Sequence, residues 1–315
     1  MLELMIQKII SEIRDSTNKP RKQFQLLSNL VSWNKLCASM DTIEDSELAI
    51  DNYIKLPSFD GFTGGYLFIY GLLQALYLQQ DAVNHLSQAL FNENIDYKKK
   101  YPEIYKIREL RNNAIGHPTN CGDGQSFCVI SRISIQNNSF SICHYFPNKD
   151  PKFEDVDINL VISTQSSLIK TILERIINEL KMEENNHRHK FNSSQLASIV
   201  PNSLDYHISK LYEGMHSPDY NKLTLVKMNI DVLNRVLVDV TKSIEERFNS
   251  INAIDELKRL LPKLKYILDH LNELLQSNNY SQNIDSEVYV DSFQKEFELL
   301  KEILKEIDDD YKKNV

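Results

Sequence analysis

The chain has 315 residues and a net charge of −8, divided as −4 over residues 1–186 and −4 over 187–315. No part is globally basic, which argues against a general nucleic-acid coat. The four cysteines, Cys37, Cys121, Cys128 and Cys143, contain no CxxC pair, so neither a zinc site nor a secreted disulfide framework is expected. Gly occurs 8 times and Pro 9 times. So few helix breakers favour a mainly helical protein, long enough for one or two domains.

In chain order, helices are expected near 2–15 and 21–40, then an acidic loop around 41–60. Met1-Leu-Glu-Leu-Met carries an acid too early for a signal peptide. Asp60-Gly-Phe-Thr-Gly-Gly reads as a loop into a long helix over 65–92. The run Tyr66 to Leu78 is apolar apart from Gln74, but its 13 residues are too few to span a bilayer. A cytoplasmic protein with no membrane contact is the expectation. The long helix carries one formal charge, Asp81, and must be wrapped by other helices or by a second subunit.

A motif helix is expected over 99–115. Its approach is basic and aromatic, with Lys98, Lys99, Lys100, Lys106 and Arg108 among Tyr97, Tyr101 and Tyr105. That stretch is either a solvated helix face or a surface for phosphates and bases. It ends in Arg111-Asn-Asn-Ala-Ile-Gly-His117-Pro118. Gly116 breaks a helix cheaply, and Pro118 disfavours helical geometry at His117, so the imidazole should sit at a helix end. At about 100° per residue, Ile104, Ile107, Leu110, Ala114 and Ile115 share one side with Arg111. A guanidinium within an apolar stripe needs a carboxylate, a subunit interface or a ligand anion, because leaving it buried and unpaired is costly. Asp81 is the candidate carboxylate. His117 either caps helix carbonyls or moves protons near neutral pH.

The stretch Arg111 to His117, with Asn112 directly after the arginine, resembles the R-x(4–6)-H signature of HEPN-domain proteins, many of them prokaryotic ribonucleases of toxin and antiviral-defence systems. The preceding helix from Tyr66 onward resembles the long helix before the motif in such domains. At the level of organisation the resemblance covers roughly residues 1–185, and only the motif is specific. It implies a HEPN-like helical bundle, an RNA substrate, and a homodimer in which Arg111, Asn112 and His117 of both subunits line one cleft. Some members carry a tyrosine two residues past the histidine, which partner nucleotidyltransferases modify. Here that position is Thr119, which puts that form of control in doubt.

The chemistry these residues offer is metal-independent RNA cleavage. The 2′-hydroxyl attacks the neighbouring phosphorus, His117 transfers protons, and Arg111 stabilises the phosphorane charge. Asn112 would orient the phosphate or the imidazole. No cofactor and no metal are expected, since no Walker motif, HExxH or paired acid cluster is present. The rival reading is a non-catalytic helical adaptor that binds a protein or RNA partner.

After the motif the period changes. Residues 127–146 read as an inserted β-hairpin with a turn at Asn137-Asn138. Phe127, Val129, Ile133 and Ile135 should share one face, and Phe140, Ile142, His144 and Phe146 another. His144 is expected to be a satisfied core histidine. A helix near 163–184 closes a domain over 1–185, and polar residues 186–200 read as a linker. His187-x-His189 has a conceivable metal spacing but no third ligand nearby. Over 201–315 a short helix near 203–213 and three long stripes predict an antiparallel helical bundle or an intermolecular coiled coil. Pro262 should kink the second stripe or restart its helix. No catalytic cluster appears there, and an antitoxin or regulatory protein is the expected partner of that bundle.

Overall fold

The computed structural model describes residues 2–57, 62–120, 125–215, 217, 220–276 and 284–312. Of the loop expected over 60–65, residues 60 and 61 lie outside these, as does Cys121, whereas 62–65 are helical as the first turn of the long helix. The protein is mainly helical with a small three-stranded antiparallel sheet. It divides into two compact units, residues 1–17 with 26–180, and residues 18–25 with 181–315. Among the described residues no helix is long and apolar enough to cross a membrane.

The first unit opens with α1 (Leu2–Thr17), α2 (Pro20–Leu27, shared with the second unit) and α3 (Leu30–Ile54). Asn29 caps α3 by accepting from the Val31 and Ser32 N–H groups. The acidic loop expected over 41–60 is instead helical to Ile54. Leu36, Met40, Ile43, Glu47 and Ile50 form a buried stripe at steps of four and three, while Asp41, Asp45 and their neighbours face outward. The stripe packs along α4 (Phe62–Phe91).

The buried glutamines of α4 pair within the unit, although Gln80 Oε1 is left without a partner among the described residues. Gln79 pairs with Glu47, Gln165 donates to Gln79 Oε1 at 2.8 Å, and Gln80 donates to Gln165 Oε1 at 2.8 Å. This buried network joins α3, α4 and the helix α7 (Ile158–Asn192).

Asp96 caps the short α5 (Tyr97–Lys100), and Pro102 starts α6 (Pro102–Arg111) at a position where its missing N–H costs nothing. The strands β1 (Phe127–Ile130), β2 (Ser139–Tyr145) and β3 (Lys152–Asp157) lie in the order β1-β2-β3. The expected hairpin is present, and its turn closes where Gln136 N–H donates to Ser139 O at 2.9 Å. The third strand was not expected, because Lys152–Asp157 has only Val156 buried and so shows no apolar alternation. Cys128, Ile130, Phe140, Ile142 and Val156 face the core, whereas Phe127 and Val129 face out and Ile133 is almost fully exposed.

The expected linker at 186–200 is corrected in part. The chain stays helical to Asn192, because Arg188 is buried there against Glu184 and Asp310 rather than solvated. The second unit adds α8 (Leu204–Met215), α9 (Tyr220–Phe248), α10 (Asp255–Leu274) and α11 (Ile284–Lys312) around one apolar core. The helix α10 runs through Pro262 without restarting. A buried ion pair, Arg247 Nη1 to Asp308 Oδ1 at 3.0 Å, sits in this unit, and Asp308 also accepts from the Leu196 and Ala197 N–H groups at 2.9 Å.

Candidate functional site

A stripe of half-exposed side chains runs along α4: Tyr66, Tyr70, Gln74, Tyr77 and Asp81, spaced by four, four, three and four. It faces α6. Residues at these steps stack along one helix face, so a ladder of aromatic and polar groups lies opposite the motif.

Two arginines of α6, Arg108 and Arg111, bring their guanidinium carbons to 4.1 and 4.3 Å from the centre of the Tyr77 ring. Their partners differ. Arg108 donates to Asp81 Oδ1 at 2.8 Å and to the Tyr77 hydroxyl at 2.8 Å. Arg111 donates through Nε and Nη2 to Gln74 Oε1, at 3.2 and 2.8 Å, and through Nη1 to Asn112 Oδ1 at 3.1 Å. The candidate pairing of Asp81 with Arg111 is therefore replaced by Asp81 with Arg108. Among the described residues no carboxylate pairs with Arg111. A guanidinium offers five N–H donors. Three are used, all on neutral amides, so two donors and a full charge remain for an anion.

The motif helix ends as the sequence suggested, but through a wide turn. Residues Asn112–Gly116 form a π turn, and His117 N–H donates to Asn112 O at 2.7 Å. Such single π turns recur at functional sites. A β-carbon on Gly116 would stand 2.8 Å from Arg111 Nη1. The guanidinium thus lies against the glycine next to His117, and a larger residue would push it away. His117 itself is exposed, and its ring has no hydrogen-bond partner among the described residues. It does not cap helix carbonyls. Asn112 holds the guanidinium.

The expected stripe Ile104, Ile107, Leu110 and Ala114 is buried within this unit's own core. It is not a free face for a second subunit, because α4 and the sheet already cover it.

Beside the motif lies a groove of about 890 Å³. Ala114, Pro118 and Thr119 form one wall, Tyr66 and Tyr70 another, and Tyr145, Phe153 and Arg132 a third. Tyr66 and Tyr70 meet edge to face at 5.7 Å between ring centres. Cys128 N–H donates to Pro118 O at 2.8 Å and ties the sheet to the motif loop.

The basic-aromatic stretch resolves into packing and surface pairs. Tyr97 is buried, its hydroxyl donating to Gln80 O at 2.7 Å, and burial pushes its ionisation well above the usual tyrosine range. Lys99 and Lys100 pair with Asp96 and Glu93. His144 is satisfied, as expected, though by polar groups at the margin of the core: Cys128 Sγ lies 3.3 Å from Nδ1, and Glu154 Oε2 lies 2.9 Å from Nε2. His187 donates from Nε2 to Arg247 O at 2.9 Å, while His189 is exposed elsewhere on the helix. Among the described residues no group of three or more His, Cys, Asp or Glu side chains could hold a metal ion.

Sequence reasoning missed Gln74, Tyr77 and Gly116 as the setting of Arg111. The α4 spacing was the available signal for the first two. Comparisons of the chain with protein-family models, with curated proteins and with solved structures find no match.

Proposed function

We propose that the chain is a metal-independent endoribonuclease of the HEPN type, acting as a homodimer whose paired Arg111, Asn112 and His117 residues line one cleft. The observation that carries this reading is the state of Arg111. It is held in place by Gln74, Asn112, Tyr77 and Gly116, and it keeps two donors and an unneutralised charge.

A phosphorane developing against it gains charge-assisted hydrogen bonds with no reorganisation of the protein. An exposed, uncommitted imidazole two turns along supplies proton transfer. One histidine cannot readily serve as base and acid in the same step, so the second copy contributes the other. The groove beside the motif supports an unpaired RNA strand, since Tyr66, Tyr70, Tyr145 and Phe153 offer rings for bases and Arg132 a charge for phosphate. The reading includes defence or toxin biology as the setting for such an enzyme.

The test is cleavage of single-stranded RNA by the full-length protein in EDTA, with a 2′,3′-cyclic phosphate as the product. Arg111→Ala and His117→Ala should each lose activity by about 100-fold or more while remaining folded. Undiminished cleavage by either variant would overturn the site, and strict dependence on magnesium would overturn the mechanism.

A second reading, a helical adaptor without catalysis, is favoured by the exposed apolar side chains Leu225, Met228 and Val238 on α9. A regulatory protein or antitoxin would bind there. Loss of a partner on Met228→Glu, with no RNA cleavage by the wild-type chain, would decide for it.

A further inference from the structure

The sheet holds a second chemical arrangement, independent of the ribonuclease reading. Cys128 on β1, His144 on β2 and Glu154 on β3 lie in a row across the three strands. Cys128 and His144 are directly paired in register, and Glu154 is diagonal to His144. The thiol sulfur lies 3.3 Å from Nδ1 of His144, and Nε2 of the same ring lies 2.9 Å from the Glu154 carboxylate. Phe146 lies parallel to the imidazole, its ring centre 6.3 Å away. The Glu154 carboxylate fixes the ring with Nδ1 turned to the sulfur, where the imidazole can take the thiol proton as the thiolate, the reactive form, attacks.

We infer that Cys128 is an activated thiol that takes small hydroperoxides and is converted to a sulfenic acid. Cys128 passes its proton to His144 Nδ1 as the sulfur attacks one peroxide oxygen, a sulfur–oxygen bond forms and the oxygen–oxygen bond breaks. The departing hydroxide takes that proton back from His144 and leaves as water. Sulfur is oxidised by two electrons and the peroxide is reduced by two. Glu154 holds the ring in place as a positioning residue. Cys128 is only 2% exposed, which restricts the site to reagents about the size of hydrogen peroxide. His144 and Glu154, with side chains 18% and 58% exposed, form the solvent side of the relay.

The chain contains its own control. Cys143 on the neighbouring strand is equally buried, at 3%, but points to the opposite face, where its neighbour is the Tyr145 phenol. Cys37 is more exposed than either. Neither has an imidazole in hydrogen-bond contact among the described residues.

The experiment oxidises the full-length folded protein with hydrogen peroxide for timed intervals, removes the peroxide with catalase, unfolds the chain in urea containing dimedone, which traps sulfenic acids, and maps the label on each cysteine by peptide mass spectrometry. Labelling at Cys128 should be at least about tenfold faster than at Cys143 or Cys37. His144→Asn should bring Cys128 down to the rate of Cys143. Glu154→Gln, a change at an exposed side chain that leaves folding intact, should give an intermediate rate. If Cys128 reacts no faster than Cys143 in the wild-type chain, the inference is overturned. If Cys128 keeps its rate in folded His144→Asn or in Glu154→Gln, the relay is overturned.

Discussion

Asp81 is bound by Arg108, at 2.8 Å from Nη1, and Arg111 three residues further on is left with amides alone. Both arginines share the Tyr77 ring, yet only one has its charge neutralised. The two positions should therefore respond differently to mutation. Asp81→Asn breaks a pair whose side chains are 24% and 34% exposed, a loss of at most about 1 kcal/mol. RNA cleavage should change by less than about threefold, against the 100-fold loss expected for Arg111→Ala. A loss with Asp81→Asn as large as with Arg111→Ala would show that the Arg108 pair belongs to the site.

Gly116 permits a test in which stability and activity move apart. Its backbone is not in the left-handed region, so alanine can adopt it, and alanine favours helical geometry over glycine by up to about 1 kcal/mol. The new methyl, however, would meet Arg111 Nη1. Gly116→Ala should leave the melting temperature unchanged or slightly raised while RNA cleavage falls by about tenfold or more. Full activity in this variant would mean that the guanidinium does not need its position against the turn.

Assembly can be probed at exposed positions. Charges at Ile107 or Ala114 would unfold the unit, since both are buried in its core. Leu67 is 75% exposed and Leu78 43% exposed on α4, and between them Gly71 has open space around it. If a second copy approaches along this face, Leu67→Glu should yield a folded monomer with RNA cleavage reduced by about 100-fold. Light scattering together with the cleavage assay checks both. A fully active monomer would end the shared-cleft proposal.

The buried pair in the second unit should be a strong stability element once one partner is removed. Arg247 is 1% and Asp308 5% exposed. Asp308→Ala strands the guanidinium and two backbone N–H groups, at a cost of about 3–5 kcal/mol. Hydrogen exchange of α11 peptides should quicken correspondingly, and unchanged protection would contradict this account.

Acid should loosen the same unit in two stages. His187 is held below its ordinary value by burial and then by the nearby Arg21 charge. Its contribution is present above about pH 6.5 and is lost as pH falls through the lower folded value. Burial alone would raise Glu183 and Glu184, but hydrogen bonds from Lys22 and Arg188 respectively outweigh it, and both are lowered. Their contribution is present above about pH 4.3 and is lost as pH falls below that. Urea midpoints of α11 exchange should fall between pH 7 and 5, then again below pH 4.3. His187→Gln should flatten the first step only.

Much of the helical frame was legible in the sequence because apolar spacing reports burial directly. The stripes of α4, α9, α10 and α11 run where Leu, Ile and Phe recur at steps of three and four. Two errors share one cause. The segment 41–54 and the end of α7 looked like loop because charged residues dominate their composition, yet Glu47 and Arg188 are buried by partners distant in sequence. Strand β3 was invisible because its pairing, not its side chains, makes it a strand. At the candidate site, the helix break before His117 was readable from Gly116 and Pro118. The choice of Arg108 by Asp81 was not, since it depends on the rotation of α6 against α4.

The wide turn at Asn112–Gly116 also makes the motif tolerant of a change in chain length. A π turn holds one residue more than an α turn, so the segment carries a surplus residue. Deleting Asn113 would keep every proposed reactive group and let the segment close into α geometry with His117 on much the same bearing, whereas the same deletion in a regular α-helix would swing it by about 100° around the axis. The aim of the imidazole is thus buffered against the loss of one codon at the place where an ordinary helix would be most sensitive to it.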